Sequence, residues 1–376
     1  MRDGLVAKQS TGAADTPRYS ILVPEETLNR AAAYGNDLRI GHLQPGGRLR
    51  DCLQNLDLQN LSATELLGRL VDTKHPQIFA ELSVAGDGSD WNLTELGLLG
   101  DVSIAVPVTI YDDGHHSQPT PHQPSFSGTL VFSPGALLRN GRGFTPADWN
   151  ETTTPEGELF FEGYLNLYRR RLLPVLQYIN HRAAKPRSAL VTLPGLGCGQ
   201  FAGPFQGQLG VMLKSVLEHL LKEYGPAFPN LKAIYFDPYS ECECSRTEIH
   251  GISLLIRPLK LLGDKGKSQL CRPIAYQEDG DDFSACHLYS LVAWDHVSWP
   301  GNDFFIDSKA TDDGVKAAAT NSMAVLTGVE GLYDSKQGKY RPPAPYRNWA
   351  AVVSDRQRCE ALRLWNALAV WQSVEP

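Results

Sequence analysis

The chain has 376 residues, of which 42% are hydrophobic and 20% are charged, and its formal net charge is −7. This composition is that of a soluble globular protein. The acidic balance, without a long basic run, disfavours nucleic acid as a partner, and the lack of an apolar stretch of about 18 residues excludes a membrane span. Seven cysteines are an odd and sparse count that favours a reducing compartment, so we expect a cytoplasmic protein.

Residues 1–18 are polar and lack an apolar run, so they predict a flexible tail rather than a secretory signal, and 19–376 are interpreted as one elaborated domain. Ser62 and Glu65 have the spacing of a capping box. Strands that alternate with helices predict an α/β fold with a mixed, largely parallel sheet covered on both faces. In chain order, the hydrophobic patterns predict helices at 24–34 and 62–71, a strand at 100–111, a surface loop rich in proline and histidine at 112–127, a strand at 128–132, a helix at 160–183, a strand at 189–193, a helix at 209–224, strands at 231–236, 249–256 and 287–294, and helices at 314–326 and 355–371.

The segment between the predicted strand at 189–193 and the predicted helix at 209–224 is rich in glycine. Successive backbone N–H groups in such a loop form a concave nest for phosphate, and the N-terminus of the following helix would add a partial positive charge. The spacing is neither that of a P-loop nor that of the dinucleotide motif G-x-G-x-x-G. A diphosphate loop is the functional interpretation, and a glycine turn that packs a helix against a strand is the structural alternative. The residues of this loop are Gly195, Leu196, Gly197, Cys198, Gly199, Gln200 and Phe201.

A second candidate site follows the predicted strand at 287–294, where aspartates stand among tryptophans and phenylalanines. Aromatic side chains exclude water from neighbouring carboxylates, and such surroundings raise carboxylate pKa values and separate their roles. For Asp307 and Asp312 we expect structural roles, in which Thr311 or Asp312 caps the next helix and the other acids face water. The aspartates expected to be functional are Asp295, Asp303 and Asp313.

The glycine loop after one strand, the acidic aromatic loop after another and the alanine-rich helix that follows resemble a macrodomain, the ADP-ribose-binding fold. Residues 294–331 are similar to the MavL-type macrodomains, a class that includes bacterial effectors, and Asp295, Asp303 and Asp313 match this class in spacing and context. The resemblance covers residues 100–331. The asparagine-rich first loop of common macrodomains and the Gly-Gly-Gly and Gln-Glu-Glu signature of poly(ADP-ribose) glycohydrolases are both missing, so their catalytic schemes are not carried over.

The resemblance implies a three-layer α/β/α mixed sheet with N- and C-terminal helical extensions. It also implies a hydrolase that removes ADP-ribose from arginine of a modified protein, including ubiquitin. The diphosphate of ADP-ribose suits the glycine loop, and a carboxylate can stabilise the oxocarbenium-like state of N-glycosidic cleavage while another positions water. We expect Asp303 and Asp313 to orient the ribose and activate water, and Asp295 to hold the same ribose or the arginine leaving group.

Aromatic contacts to ribose or adenine are expected from Trp299, Phe304 and Tyr239, and the scheme requires no metal and no cofactor.

Two other functions stay open at this point. A non-catalytic ADP-ribose reader would need the loop but not the acids. A cysteine hydrolase would use Cys198, although Leu196 and Gln200 are not the small residues of a nucleophile elbow. Four cysteines lack the usual spacing of a zinc site, namely Cys242, Cys244, Cys271 and Cys286.

Overall fold

The computed structural model describes residues 19–76, 86–183, 187–355 and 368–372. The strands within these ranges are β1 (Ser20–Pro24), β2 (Ser103–Asp112), β3 (Pro121–Pro134), β4 (Ala189–Pro194), β5 (Leu231–Asp237), β6 (Ser245–Ile249), β7 (Ile252–Ile256), β8 (His287–Trp294), β9 (Leu332–Asp334), β10 (Lys339–Arg341) and β11 (Leu368–Trp371). The main sheet has nine strands in the order β11-β1-β2-β3-β8-β4-β5-β7-β6, and β9 pairs with β10 in a separate hairpin.

The helices of the described residues are α1 (Glu25–Arg39), α2 (Gly47–Leu53), α3 (Ala63–Val71), α4 (Leu93–Gly100), α5 (Trp149–Thr152), α6 (Phe161–Arg182), α7 (Leu209–Tyr224), α8 (Leu259–Leu262), α9 (Asp312–Ala318), α10 (Ser322–Thr327) and α11 (Trp349–Ser354). One face of the sheet packs against α6 and α7. The other face packs against α1–α4 and α10. The three-layer α/β/α arrangement with a mixed sheet is therefore confirmed. No helix in these ranges is long and apolar enough to cross a membrane.

The centre of the sheet is parallel, which determines where a ligand site can form. Strands β3, β8, β4, β5 and β7 run in the same direction, whereas β2 and β6 run against their neighbours. The carboxyl ends of β3, β8, β4 and β5 consequently lie at one edge of the sheet. Ligands of parallel α/β sheets bind at this edge, and both candidate loops leave the sheet there.

The strongest local patterns predicted their elements well. Helix α7 and strand β8 have the predicted bounds, at Leu209–Tyr224 and His287–Trp294. The capping box of α3 is present, because the Ser62 side chain accepts from Glu65 N and the Glu65 side chain accepts from Ser62 N. The long helix α6 continues through Pro174.

Four local predictions were wrong where tertiary pairing decided the structure. The segment 112–127, predicted as a loop, enters β3 at Pro121 because it pairs with β2. The strand predicted at 249–256 is part of a β6–β7 hairpin, whose turn holds His250 and Gly251 at positive φ. The helix predicted at 314–326 is two helices, since Asn321 interrupts it to accept a hydrogen bond from Thr109 N.

The fourth error lies at the C-terminus, where a helix was predicted at 355–371. Leu368–Trp371 is a strand that pairs in parallel with β1. Pairing with a sheet edge satisfies the backbone of these apolar residues, and it overrides the helical periodicity. The rest of that predicted helix, 356–367, and the predicted tail at 1–18 lie outside the described residues.

Candidate functional site

The glycine loop and the loop after β3 touch backbone to backbone at the carboxyl edge of the sheet. An ideal Cβ on Gly135 would lie 2.1 Å from Gly197 N, and one on Gly197 would lie 2.7 Å from Ala136 N. Gly197 also has φ +73°. Both positions therefore require glycine, because only a residue without Cβ permits this approach.

Hydrogen bonds fix the first half of the glycine loop and leave the second half open. Leu196 O accepts from the Tyr168 hydroxyl at 2.6 Å, and the same hydroxyl accepts from Ala136 N at 3.0 Å. Among the described residues, no acceptor is paired with the N–H groups of Gly199 and Gln200, and a Cβ on Gly199 would meet no atom within 4 Å. These two N–H groups are available to an anion.

The prediction that the helix after the loop presents its N-terminus to the ligand is wrong. The loop enters a 3-10 helix at Gln200–Phe205, and α7 begins only at Leu209. A carboxylate already lies at this N-terminus, since Glu241 accepts from Gly210 N in the first turn at 2.6 Å and from Gly207 N, just before the helix, at 3.0 Å. A negatively charged side chain of the protein itself thus occupies the place that phosphate would take.

A positive charge reaches the glycine loop from a residue that the sequence did not point to. Arg139, in the loop after β3, donates to Gln200 Oε1 at 2.6 Å. Both residues line an open cavity of about 280 Å³ together with Gly199, Gly203 and Gln206. Nothing in the local sequence distinguishes Arg139, because its role depends on the contact between two loops far apart in the chain.

The three aspartates expected to be functional lie together after β8, and all are buried, with 4%, 2% and 2% exposure for Asp295, Asp303 and Asp313. Asp295 is fully hydrogen-bonded within its own loop. It accepts from Val297 N at 2.8 Å, from Ser298 N at 2.6 Å and from Asn302 Nδ2 at 2.9 Å. Its carboxylate therefore fixes the loop that follows β8.

Asp303 connects the acidic loop to the start of α9. Its Oδ1 accepts from the Thr311 hydroxyl at 2.7 Å, and its Oδ2 accepts from Ala310 N at 2.7 Å. Thr311 in turn caps α9 by accepting from Gly314 N at 2.9 Å. A Cβ on Gly314 would lie 1.9 Å from Asp303 Oδ1, so the carboxylate lies directly against this first turn.

Asp313 differs from the other two because one of its oxygens is unused. Oδ1 accepts from Gly301 N at 2.7 Å, whereas no donor of the described residues pairs with the buried Oδ2. Burial raises the pKa of Asp313 well above its ordinary value, and the nearby Asp295 and Asp303 raise it further. These surroundings favour the protonated carboxyl group, and Oδ2 is the free hydrogen-bonding position of the cluster.

The remaining two aspartates of this loop serve its structure. Asp312 Oδ2 accepts from Ala293 N at 2.8 Å, which attaches the start of α9 to the end of β8, and it pairs with Lys316 at 3.0 Å. Asp307 forms an ion pair with Lys339 at 3.2 Å. The predicted cap by Thr311 is confirmed.

Buried cations connect the acidic loop to the contact between Gly135 and Gly197. Arg171, on α6, donates to Gly135 O at 2.8 Å and to Asp148 Oδ1 at 2.7 Å, and Asp148 Oδ2 lies 3.3 Å from His296 Nε2. On the other side, Lys74 Nζ donates to His296 O at 2.6 Å, and burial lowers the pKa of Lys74 to about 7 although Asp295 opposes this shift. One network of hydrogen bonds and ion pairs therefore connects α6 with the loops that follow β3 and β8.

Comparison with known proteins identifies the family of this chain. A family model described as macrodomain effector MavL matches residues 19–346. The chain belongs to the MavL macrodomain family. No curated protein matches it. Membership implies that the chain binds or processes ADP-ribose, and it confirms the resemblance found in the sequence.

In this MavL-family chain the three aromatic residues expected to contact ribose or adenine have different surroundings. Tyr239 is 59% exposed just after β5 and has a positive φ. Trp299 is partly buried and packs edge-on against Phe305 at 5.8 Å. Phe304 is buried in a core formed by α9, α10 and α11, so it packs the acidic loop against these helices. Tyr239 and Trp299 remain the two that a ligand could reach without repacking of that core.

Cys198 does not have the surroundings of a nucleophile in this MavL-family site. Its Sγ is buried and donates to Leu196 O at 3.7 Å. Burial raises the pKa of the thiol well above its ordinary value, and Glu241 raises it further. A nucleophilic cysteine needs the thiolate, which these surroundings disfavour. No group of three or more potential metal ligands occurs among the described residues.

Proposed function

We propose that this chain is an ADP-ribosyl hydrolase that removes mono-ADP-ribose from an arginine of a modified protein, with ubiquitin as a candidate substrate. One observation supports this most. A loop with free N–H groups and an aspartate cluster with a free carboxyl oxygen follow adjacent parallel strands, β4 and β8. Arg171 connects the two loops indirectly, because it binds Gly135, which contacts Gly197, and Asp148, which pairs with His296 after β8. A diphosphate and a distal ribose of one ligand require two loops that are connected in this way.

In this proposal the diphosphate binds at the N–H groups of Gly199 and Gln200, with Arg139 as the cationic partner. Arginine presents a planar fork that matches phosphate oxygens, and charge-assisted hydrogen bonds of this kind are strong. The Arg139 side chain already lies against Gln200 in the open cavity. The aspartates are thus left to act on the ribose.

Asp313 is the residue to which we assign proton transfer. The positive charge of ADP-ribosylarginine and of the oxocarbenium-like state would favour the ionised form of its carboxyl group. Ionised Asp313 would take a proton from water as the water oxygen bonds to the anomeric carbon. The C–N bond breaks with its electron pair on the guanidine nitrogen, which receives the proton and leaves as arginine guanidinium.

Access to Asp313 requires a movement, because all three aspartates are buried in this conformation. The 3-10 helix Asn302–Ile306 lies between Gly301 and Asp307, which both have positive φ. We propose that this short helix, which carries Asp303, shifts when ADP-ribose binds, so that the ribose reaches Asp313 while the hydrogen bonds of Asp295 to Val297 N and Ser298 N hold the start of the loop.

A second candidate function is an ADP-ribose reader without catalysis. The burial of the acids favours it, since Asp295 and Asp303 are fully engaged in holding their own loops. The reader would use the glycine loop and Arg139 alone. The two functions differ in whether bound ADP-ribose is released from protein.

The deciding experiment supplies a protein that carries mono-ADP-ribose on arginine and measures the release of free ADP-ribose. Release by the wild type and its loss in Asp313→Asn would support the hydrolase. Asp307→Asn is the matched control, because it changes a partly exposed aspartate of the same loop that pairs with Lys339 instead of belonging to the buried cluster. If the wild type binds ADP-ribose but releases none, the chain is a reader, and loss of release in Cys198→Ala alone would establish the cysteine hydrolase.

A further inference from the structure

A second cavity lies at the opposite end of the sheet from the aspartates. It measures about 410 Å³ and opens on the sheet face beside the last turn of α6. His287, at the start of β8, lines it, and β8 has eight residues. A strand of that length spans about 25 Å. This cavity is therefore separate from the candidate ADP-ribose site.

The charged groups of this cavity are all positive. Arg182 and Arg187 line it with His287, and both guanidiniums act on the His287 ring. Arg182 is also the charged group that acts on Tyr178 and Tyr289. No carboxylate of the described residues takes part in these interactions. Two guanidiniums therefore lie at this imidazole without a carboxylate partner among the described residues, in a chain whose formal net charge is −7.

Neutral hydrogen-bonding groups complete the lining. Thr129 Oγ1 lies 3.0 Å from His287 Nε2, which fixes the imidazole against the sheet. Ser127 and Asn321 add a hydroxyl and an amide on the same wall. Burial lowers the pKa of His287, and the charges of Arg187 and Arg182 lower it further, so the ring is neutral at pH 7 until an anion arrives. Cations and hydroxyls around a cavity of this size suit a small anionic ligand.

We propose that this cavity, lined by Arg182, Arg187, His287 and Thr129, is a binding site for the phosphate group of a small phosphomonoester. A tetrahedral dianion accepts from both guanidinium forks and from the hydroxyls, and the two positive charges balance its own charge. A volume of about 410 Å³ suits a small molecule rather than a protein segment. The site does not depend on the proposed hydrolase activity.

The test titrates inorganic phosphate into the full chain at constant ionic strength and follows the ring signals of His287 by NMR. We expect saturable shifts with a dissociation constant of about 1 mM or tighter. The double variant Arg182→Gln and Arg187→Gln should weaken this binding at least tenfold without lowering the unfolding temperature, since both side chains are exposed. Arg139→Gln is the matched control and should leave the His287 response unchanged.

Each outcome of the phosphate titration has a definite interpretation. Phosphate that binds at the glycine loop shifts the amide signals of Gly199 and Gln200, so failure of the ADP-ribose site is distinguished from failure of this one. Absence of a His287 response at phosphate concentrations far above that dissociation constant would overturn the proposal. An equal response in the double variant, or an equal response to sodium chloride, would also overturn it.

Discussion

Gly135 and Gly197 touch across the carboxyl edge of the sheet, so closely that a Cβ on Gly135 would lie 2.1 Å from Gly197 N. Gly135 O also accepts from the buried guanidinium of Arg171, which belongs to the network that reaches the acidic loop. The shape of the glycine loop thus depends on a residue that precedes it by more than sixty positions and on charges inside the protein.

Gly135→Ala should lower stability and ADP-ribose affinity together. The added methyl group must displace the backbone of the glycine loop, and overpacking of this kind costs about 1–3 kcal/mol. Thermal unfolding and calorimetry with ADP-ribose measure the two effects. Gly199→Ala is the matched control for stability, because its Cβ meets no protein atom within 4 Å. A Gly135→Ala variant with unchanged affinity would show that the contact does not shape the loop.

Arg139→Gln should weaken ADP-ribose binding by about tenfold, the effect of losing one exposed charge-assisted hydrogen bond. Stability should not change, because the side chain lies on the surface beside Gln200. Calorimetry with ADP-ribose measures the affinity. Arg142→Gln, on the same exposed loop, serves as the control. Equal affinities in wild type and Arg139→Gln would remove Arg139 from the diphosphate site.

Asp313→Asn should reduce release of ADP-ribose from arginine by about 10²–10⁴-fold, the usual contribution of a positioned acid or base. The fold should persist, since asparagine resembles the protonated carboxyl group that burial favours here. Affinity for ADP-ribose should change much less. Asp303→Asn should instead lower the unfolding temperature, because an amide nitrogen would face either Ala310 N or the Thr311 hydroxyl. Turnover within threefold of wild type in Asp313→Asn would contradict the assigned role.

Asp313 should also make stability depend on pH with a definite sign. Its pKa is raised in the folded state, so above an unfolded-state pKa of about 3.9 the folded chain binds more protons than the unfolded chain. Its contribution therefore destabilises the fold progressively as pH rises towards the folded-state pKa. Urea unfolding between about pH 4 and pH 8 should show Asp313→Asn gaining stability relative to wild type as pH increases. A constant difference across this range would refute the raised pKa.

Turnover should be independent of divalent metal ions. The oxygens of Asp295 and Asp303 accept from N–H and O–H donors, which does not leave the six to eight oxygen ligands of a typical calcium site. Activity assayed with excess EDTA should equal activity in its absence. Loss of turnover in EDTA that magnesium restores would contradict this expectation.

The sequence by itself determined the elements whose signals are local. The bounds of α7 and β8, the capping box at Ser62 and the cap at Thr311 follow from periodicity and from side chains within a few positions of one another. It also placed both candidate loops at strand ends, because an apolar run followed by glycine or aspartate marks the end of a buried strand. The grouping of Asp295, Asp303 and Asp313 could be anticipated for the same reason, since they share one short segment.

Only the tertiary structure decided how those elements serve a site. Glu241 occupies the N-terminus of α7, and Arg139 provides the charge at the glycine loop, although neither is near that loop in sequence. The edge pairing of Leu368–Trp371 with β1 likewise joins distant parts of the chain. Periodicity reports which face of an element is apolar, but it carries no information about which strands become neighbours. Contacts between distant loops follow from that strand order, and so does the burial that raises the pKa of Asp313.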